Sequence, residues 1–341
     1  MLHRDLNMLS PLELIYYIGY RIDRKTKTAL QKRLQGYTIS VGNLTLGGTG
    51  KTPMVMAIAS EAVKRGFSTC ILTRGYKGKA KSLIVSCGRG PEADWKETGD
   101  EPFLMAKKLK DVWIVKDSNR YRGGLLAGKK DLFILDDGFQ HWALHRNLDI
   151  VLIDGTNPFG NGKLLPFGPL REPPEALKRA SIIVITKVQE PDETLLRKIN
   201  AANPEVEVYT AQMTATGFKD LKGHELSLSD LQSRKAFLFS GIGNPASFHK
   251  SIEAIGVNIV GTKAFRDHHA YTKEQVRQLI KKGRQLKAEV FITTEKDLIK
   301  LETMPEDVLP EELYALVVNM EIKDRDRFFD RLFRDINPKT P

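Results

Sequence analysis

From Tyr37 onward the chain alternates short apolar runs with helix-length segments. The runs are YTISV (37–41), TCILT (69–73), VWIV (112–115), LFILD (132–136), DIVLID (149–154) and SIIVIT (181–186). They are apolar almost throughout instead of alternating, which is the pattern of strands covered on both faces, so the chain reads as a parallel α/β sheet flanked by helices. A second cycle follows in VEVYT (206–210), KAFLFSG (235–241), VNIVGTKAF (257–265), EVFITT (289–294) and YALVVNMEI (314–322). The polar stretch near Thr214–Ser233 is the expected boundary between them. The expected organisation is therefore an N-terminal helix in 1–36, a core domain in 37–215 and a smaller C-terminal α/β domain in 216–341.

The first 36 residues follow a different pattern. After Pro11, the residues Leu12, Ile15, Tyr16, Gly19, Ile22, Leu30 and Leu34 recur at helical spacing, while Arg21, Arg24, Lys25 and Lys32 fall opposite. This is the pattern of a basic amphipathic helix lying in a membrane interface, with Tyr16, Tyr17 and Tyr20 suited to the headgroup zone. It reads equally well as a helix packing its apolar side on the protein's own core, and Asp23 within the stripe counts against the membrane.

Composition narrows the partners. Of 341 residues, 53 are Lys or Arg against 42 Asp or Glu, and the net charge of +11 calls for an anionic partner. The 2 cysteines, Cys70 and Cys87, form no metal-binding pattern and suit a reducing compartment. No apolar stretch approaches the roughly 20 residues of a spanning helix, and the N-terminus lacks the order of a signal peptide.

The most informative segment is VGNLTLGGTGKTP (41–53), between an expected strand and a helical run. Backbone N–H groups of Thr45, Leu46, Gly47, Gly48, Thr49 and Gly50 would cradle phosphates, with Lys51 as a point charge and Thr52 as a Mg²⁺ ligand. Thr45 replaces the first glycine of the usual pattern. The fold expected is thus a P-loop NTPase-like sheet. Asp136 and Asp137 close the run LFILD and supply the metal-side carboxylates such a loop needs, although Asp-Gly pairs also occur in plain turns. Leu46 stands where deviant Walker ATPases carry a signature lysine, and Thr186-Lys187-Val188-Gln189 is a poor echo of a guanine reader, so ATP is the expected nucleotide.

A kinase also needs a group facing the acceptor hydroxyl. Asp100 and Glu101 lie between Gly99 and Pro102 before a helical run, a position that acids also favour through the helix dipole. Arg266-Asp267-His268-His269 follows a strand and precedes a helix, where Asp267 reads as well as a cap. Arg74, Lys77, Arg120 and Arg171 are candidate phosphate clamps, and equally read as solvated surface charges.

Taken together, the motifs resemble the tetraacyldisaccharide 4'-kinase family, the lipid A 4'-kinases. Those that carry the resemblance are VGNLTLGGTGKTP (41–53), LTRGYKG (72–78), GDEP (99–102), DDGFQH (136–141), DGTNPFGNGKLLPFGPLREP (154–173), FSGIGNP (239–245), FRDHHAY (265–271) and TTEKD (293–297). The resemblance implies a membrane-associated enzyme that moves the γ-phosphate of ATP to the 4'-hydroxyl of a tetraacylated glucosamine disaccharide 1-phosphate. It implies Asp100 as the base, assisted by His268 in preference to His269, with Lys51, Thr52, Asp136 and Asp137 at the nucleotide and metal. It further implies Glu172 as a metal-side residue in the acidic network around metal and acceptor, His141 in the site, and two domains closing over the nucleotide. The expected address is the cytoplasmic face of the bacterial inner membrane, peripheral or monotopic, and the expected state a monomer. With the resemblance set aside, the residues describe a soluble P-loop ATPase or small-metabolite kinase. No basic-aromatic motif of the common nucleic-acid modules is present, so no nucleic-acid partner is expected.

Overall fold

The computed structural model of the chain describes residues 10–336. Helix α1 (Pro11–Ala29) starts on a capping box: the Ser10 hydroxyl accepts the Glu13 N–H, and the Glu13 carboxylate accepts the Ser10 N–H. The core then runs β1 (Tyr37–Asn43), α2 (Lys51–Lys64), β2 (Thr69–Thr73), β3 (Ser82–Cys87), α3 (Trp95–Thr98), α4 (Asp100–Lys108), β4 (Val112–Asp117), α5 (Arg120–Ala127), β5 (Leu132–Asp136), β6 (Leu148–Asp154), β7 (Ile182–Thr186), α6 (Glu193–Ala202) and β8 (Glu207–Asp220). The second cycle runs β9 (Glu225–Leu226), β10 (Lys235–Ser240), α7 (Pro245–Ile255), β11 (Asn258–Ala264), α8 (Lys273–Gln285), β12 (Val290–Thr294), α9 (Glu295–Leu301), β13 (Leu313–Ile322) and α10 (Arg325–Phe333).

All the expected apolar runs are strands of one sheet, in the order β11-β10-β12-β13-β8-β7-β6-β1-β5-β2-β4-β3, with β9 beside β8. Pairing is parallel except at the β3 edge, at β8·β9 and at β8·β13, where the two cycles join antiparallel. The strands β2, β5 and β7 are buried along their whole length because helices cover both faces.

On one face of the first half, Met54, Val55, Ile58, Ala59 and Ala62 of α2 pack with Phe328, Phe329, Leu332 and Phe333 of α10. The second half has its own apolar clusters, one around Phe237, Phe291 and Leu279 and one around Leu238, Phe248 and Ile292. The stretch expected as a boundary is structured, since 214–220 belong to β8 and Leu228–Leu231 form a 3₁₀ turn. A cut at 215/216 would run through β8 and part α10 from the core it fills.

Helix α1 turns its apolar stripe outward. Leu12, Ile15, Ile18 and Ile22 are 52%, 67%, 49% and 61% exposed, while Glu13 is buried and Tyr16, Tyr17 and Tyr20 are half-buried. This corrects the expected placement of the tyrosines. At about 100° per residue, 13, 16, 17, 20 and 24 lie opposite 12, 15, 18 and 22, and they face the protein because their polar atoms find partners there. Tyr16 Oη donates to the Arg171 carbonyl (2.8 Å), Tyr20 Oη to Glu172 Oε2 (2.7 Å), and the Arg24 guanidinium lies 5.4 Å from the Trp142 ring centre. Among the described residues no helix is long and apolar enough to cross a membrane.

Candidate active site

The phosphate loop leaves β1 and enters α2 at Gly50, whose φ of +88° lies in the left-handed region and whose absent Cβ would come 2.9 Å from Met320 Cε. Loop residues are tied to the LREP segment: Arg171 N–H donates to the Leu44 carbonyl (2.7 Å) and Leu46 N–H to the Pro169 carbonyl (2.7 Å). Across the loop, the Thr186 hydroxyl donates to the Thr49 carbonyl at 3.1 Å. The first turn of α2 leaves its N–H groups without intrahelical partners, which suits them to phosphate.

Parallel pairing sets Val41 beside Asp136, so the acids ending β5 sit next to the loop. Asp136 is 6% exposed and accepts the Thr73 hydroxyl at 3.0 Å. Burial, with the nearby charges of Glu101 and Asp137, pushes its carboxyl up to about 6 against the opposing effect of Lys51 and Thr73. Asp137 has φ +53° and takes both contacts of Arg171 Nη1 (3.0 and 2.9 Å), with Lys51 Nζ at 3.7 Å. Burial raises the Asp137 carboxyl, but Lys51, Arg171 and Arg120 hold it below the usual carboxylate range. Thr52 Oγ1 lies 3.4 Å from Glu101 Oε2.

Glu172 is fully buried, and its oxygens take Tyr20 (2.7 Å), Gln140 Nε2 (2.7 Å) and Arg179 Nη2 (2.8 and 3.1 Å). Gln140 continues to Arg171 at 3.4 Å, so Glu172 meets the Asp137–Lys51 group through two intermediaries. Among the described residues no group of three or more His, Cys, Asp or Glu is arranged to hold a metal alone. A hydroxyl with one or two carboxylates beside a phosphate loop is instead the donor set of Mg²⁺ carried with a nucleotide.

The second half adds the turn after β11. His268 has φ +61°, and its N–H donates to the Gly241 carbonyl at 3.0 Å. Its ring Nδ1 lies 2.8 and 2.9 Å from the two oxygens of Asp100, which is 5% exposed. Both neighbours of Nδ1 are carboxylate oxygens, which only accept, so Nδ1 carries the hydrogen. Burial raises the Asp100 carboxyl, but the His268 hydrogen bond and the charges of Lys296, His268 and Lys300 outweigh it and hold it below the usual range. His269 stacks on Phe265 at 4.3 Å and bonds Gln275 Oε1 at 3.1 Å, facing its own half.

The remaining candidates sit at the margins. Arg120 is buried and donates to the backbone carbonyls of Asp117 (2.7 Å) and Asp136 (3.2 Å), which makes it a brace under β5. Lys77 Nζ donates to the Asp267 carbonyl at 3.2 Å, Tyr76 lies 5.3 Å from the His268 ring, and Arg74 is exposed. Burial and the charges of Arg120, Arg146 and Lys27 push His141 down to about 4, so it is neutral at pH 7. Residues that the motifs did not assign are Tyr20, Thr73, Glu101, Lys296 and Lys300. Lys296 Nζ lies 3.0 Å from Glu101, 3.4 Å from Asp267 and 4.0 Å from Asp100.

A family model described as Tetraacyldisaccharide-1-P 4'-kinase matches residues 6–337. A curated tetraacyldisaccharide 4'-kinase of Geobacter metallireducens is 40% identical over 299 residues, spanning 86% of this chain and 86% of its own length. One of Syntrophobacter fumaroxidans is 38% identical over 304 residues, spanning 87% of this chain and 80% of its own. The crystal structure of "apo" form LpxK from Aquifex aeolicus in complex with ATP superposes with a TM-score of 0.76 at 31% identity, covering 96% of this chain and 98% of that one.

Proposed function

The chain belongs to the tetraacyldisaccharide 4'-kinase family and is therefore a kinase of lipid A biosynthesis, and from that membership we propose the chemistry its residues perform. The γ-phosphate of ATP passes to the 4'-hydroxyl of a tetraacylated glucosamine disaccharide 1-phosphate. The observation that carries this reading is the Asp100–His268 contact, 168 residues apart in sequence, formed beside the phosphate loop.

ATP lies with its phosphates on the loop Thr45–Thr52, where Lys51 balances the charge of the transferring group. Asp100 orients the acceptor hydroxyl and takes its proton as the new O–P bond forms and the bond from the γ-phosphorus to the bridging oxygen breaks, releasing ADP. A loose phosphoryl transition state asks for little early deprotonation, so an ionised, well-held carboxylate suffices. His268 fixes the orientation of Asp100 through Nδ1–H. A Mg²⁺ ion arriving with ATP would be held by Thr52, Asp136 and Asp137, and would neutralise phosphate charge. Glu172 holds Arg179, Gln140 and Tyr20 around it.

The outward stripe of Leu12, Ile15, Ile18 and Ile22, flanked by Arg21 and Lys25, lies in the lipid interface, and attaches the enzyme to the cytoplasmic face of the inner membrane without crossing it. The enzyme acts as a monomer there, its two halves closing over the nucleotide. The double substitution Ile15→Glu, Ile22→Glu lowers partitioning to anionic vesicles about tenfold or more, and unchanged sedimentation with vesicles refutes the attachment.

The chemistry is tested with γ-labelled ATP and the tetraacyldisaccharide 1-phosphate. Wild type yields one labelled phosphomonoester, and Asp100→Asn slows its formation by about a thousandfold. Near-normal turnover of Asp100→Asn removes the base from the mechanism.

A further inference from the structure

Helix α9 carries a lysine that the proposed chemistry leaves unused. The Lys300 side chain is 1% exposed, and its ammonium lies 3.0 Å from Asp297 Oδ1, 3.1 Å from the His269 carbonyl and 3.6 Å from Asp100 Oδ2. Asp297 is itself fully buried and accepts the Gly241 N–H (2.9 Å) and the Thr294 hydroxyl (2.8 Å). One ion pair thus ties together the FSGIGNP loop, the turn that bears His268 and the start of α9. Gly241 must be glycine for this approach, since a Cβ there would meet His269 Cβ at 2.9 Å and Asp297 Oδ1 at 3.1 Å.

A lysine this deep is costly unless its charge is matched, and matching Asp297 alone needs no position facing the cleft. The third direction of the ammonium is taken by Asp100, which belongs to the other half of the chain. Of the groups around Asp100, the His268 imidazole is a cation only when protonated, Lys296 is shared with Glu101 and Asp267, and Lys300 is the one sealed from solvent.

We propose that Lys300 is a positioning residue for phosphoryl transfer: anchored by Asp297, it fixes the Asp100 carboxylate against His268. The inference rests on the reading of Asp100 as the base. It gives the TTEKD segment a role as the mount of a buried cation, and makes correct placement of the base depend on contact between the halves.

The full-length enzyme is tested as Lys300→Met and as the double variant Lys300→Met, Asp297→Asn, which leaves no orphaned buried charge, with Asp100→Asn alongside. The double variant is expected to bind ATP within about twofold of wild type and to unfold near the wild-type temperature, while kcat falls at least tenfold. Its acid limb of kcat/KM moves up by about one pH unit, because a carboxylate stripped of a neighbouring cation and facing only His268, Lys296 and Glu101 protonates more easily. A folded double variant with wild-type kcat and an unmoved limb, when Asp100→Asn is inactive, overturns the role of Lys300 alone and reduces it to a partner for Asp297. An active Asp100→Asn overturns the base reading and this inference with it.

Discussion

The nucleotide side and the acceptor side of the cleft each hold a buried aspartate, and they treat its charge in opposite ways. Asp136 lies among Glu101 and Asp137 with Lys51 as its opposing cation, and its carboxyl is pushed up to about 6. Asp100 lies among His268, Lys296 and Lys300, and its carboxyl is held down. On the proposed mechanism, the raised Asp136 carboxyl would meet further positive charge in a Mg²⁺ ion carried by ATP. The Asp100 side is compensated in advance, so its carboxylate is ready before any ligand binds. Pushing two carboxyls apart in this way is what the proposed roles of metal-side acid and proton acceptor would require.

The hardest test of the contrast is Lys51→Ala, which strips the cation opposing Asp136. A loss of about a thousandfold in kcat is expected, with the lipid acceptor's KM little changed, measured with γ-labelled ATP. A comparable rise in acceptor KM would mean that the two sides are not separate.

Next come the stabilities of the ligand-free chain. At pH 7 Asp136→Asn removes a charge that burial disfavours, and is expected to leave the unfolding temperature unchanged or to raise it, on the order of 1–3 kcal/mol in free energy. Asp100→Asn acts oppositely, by a similar amount, because it orphans the cations around it. The folded Asp100 carboxyl sits below its ordinary value of 3.8. Its stabilisation is therefore complete above about that pH and fades as pH falls through the lower folded value, so the gap between wild type and Asp100→Asn should close only in strong acid. Equal shifts of the same sign in calorimetry would erase the distinction.

The smallest expected effect concerns the contacts that bring the sides together. Lys107–Glu302, Lys108–Glu295 and Lys296–Glu101 bridge α4 and α9, and the first two pairs are partly solvent-accessible. Raising ionic strength tenfold should lower kcat/KM by about two- to fivefold through weaker pairing. A salt-independent rate would show that these ion pairs do not hold α4 against α9.

The two sides also differ in how much of them can be read from the chain. The phosphate loop and Asp136 are legible because a strand, a turn and a helix start place them within a few residues of sequence or in neighbouring parallel strands. The apolar runs are legible for the same reason. The pairing of Asp100 with His268 is readable through family likeness alone, since nothing local links residues so distant. Lys300 looks like an ordinary helical lysine. The signal that could have found it is its place in KDLIKL, between the apolar Leu298, Ile299 and Leu301 and three positions after an aspartate. Helix α1 is recognisable as amphipathic, but its periodicity cannot say which side meets the protein; the tyrosine hydroxyls decide that.

The bond from Tyr20 to Glu172 has a practical consequence for anyone wishing to handle the enzyme without detergent. Deleting the first helix would take the Tyr20 hydroxyl from the buried Glu172 along with the exposed apolar row, so a loss of activity in a shortened chain would not by itself report on lipid contact. Replacing Leu12, Ile15, Ile18 and Ile22 with polar residues separates the two effects, because it leaves the inward tyrosines bonded to Arg171 and Glu172.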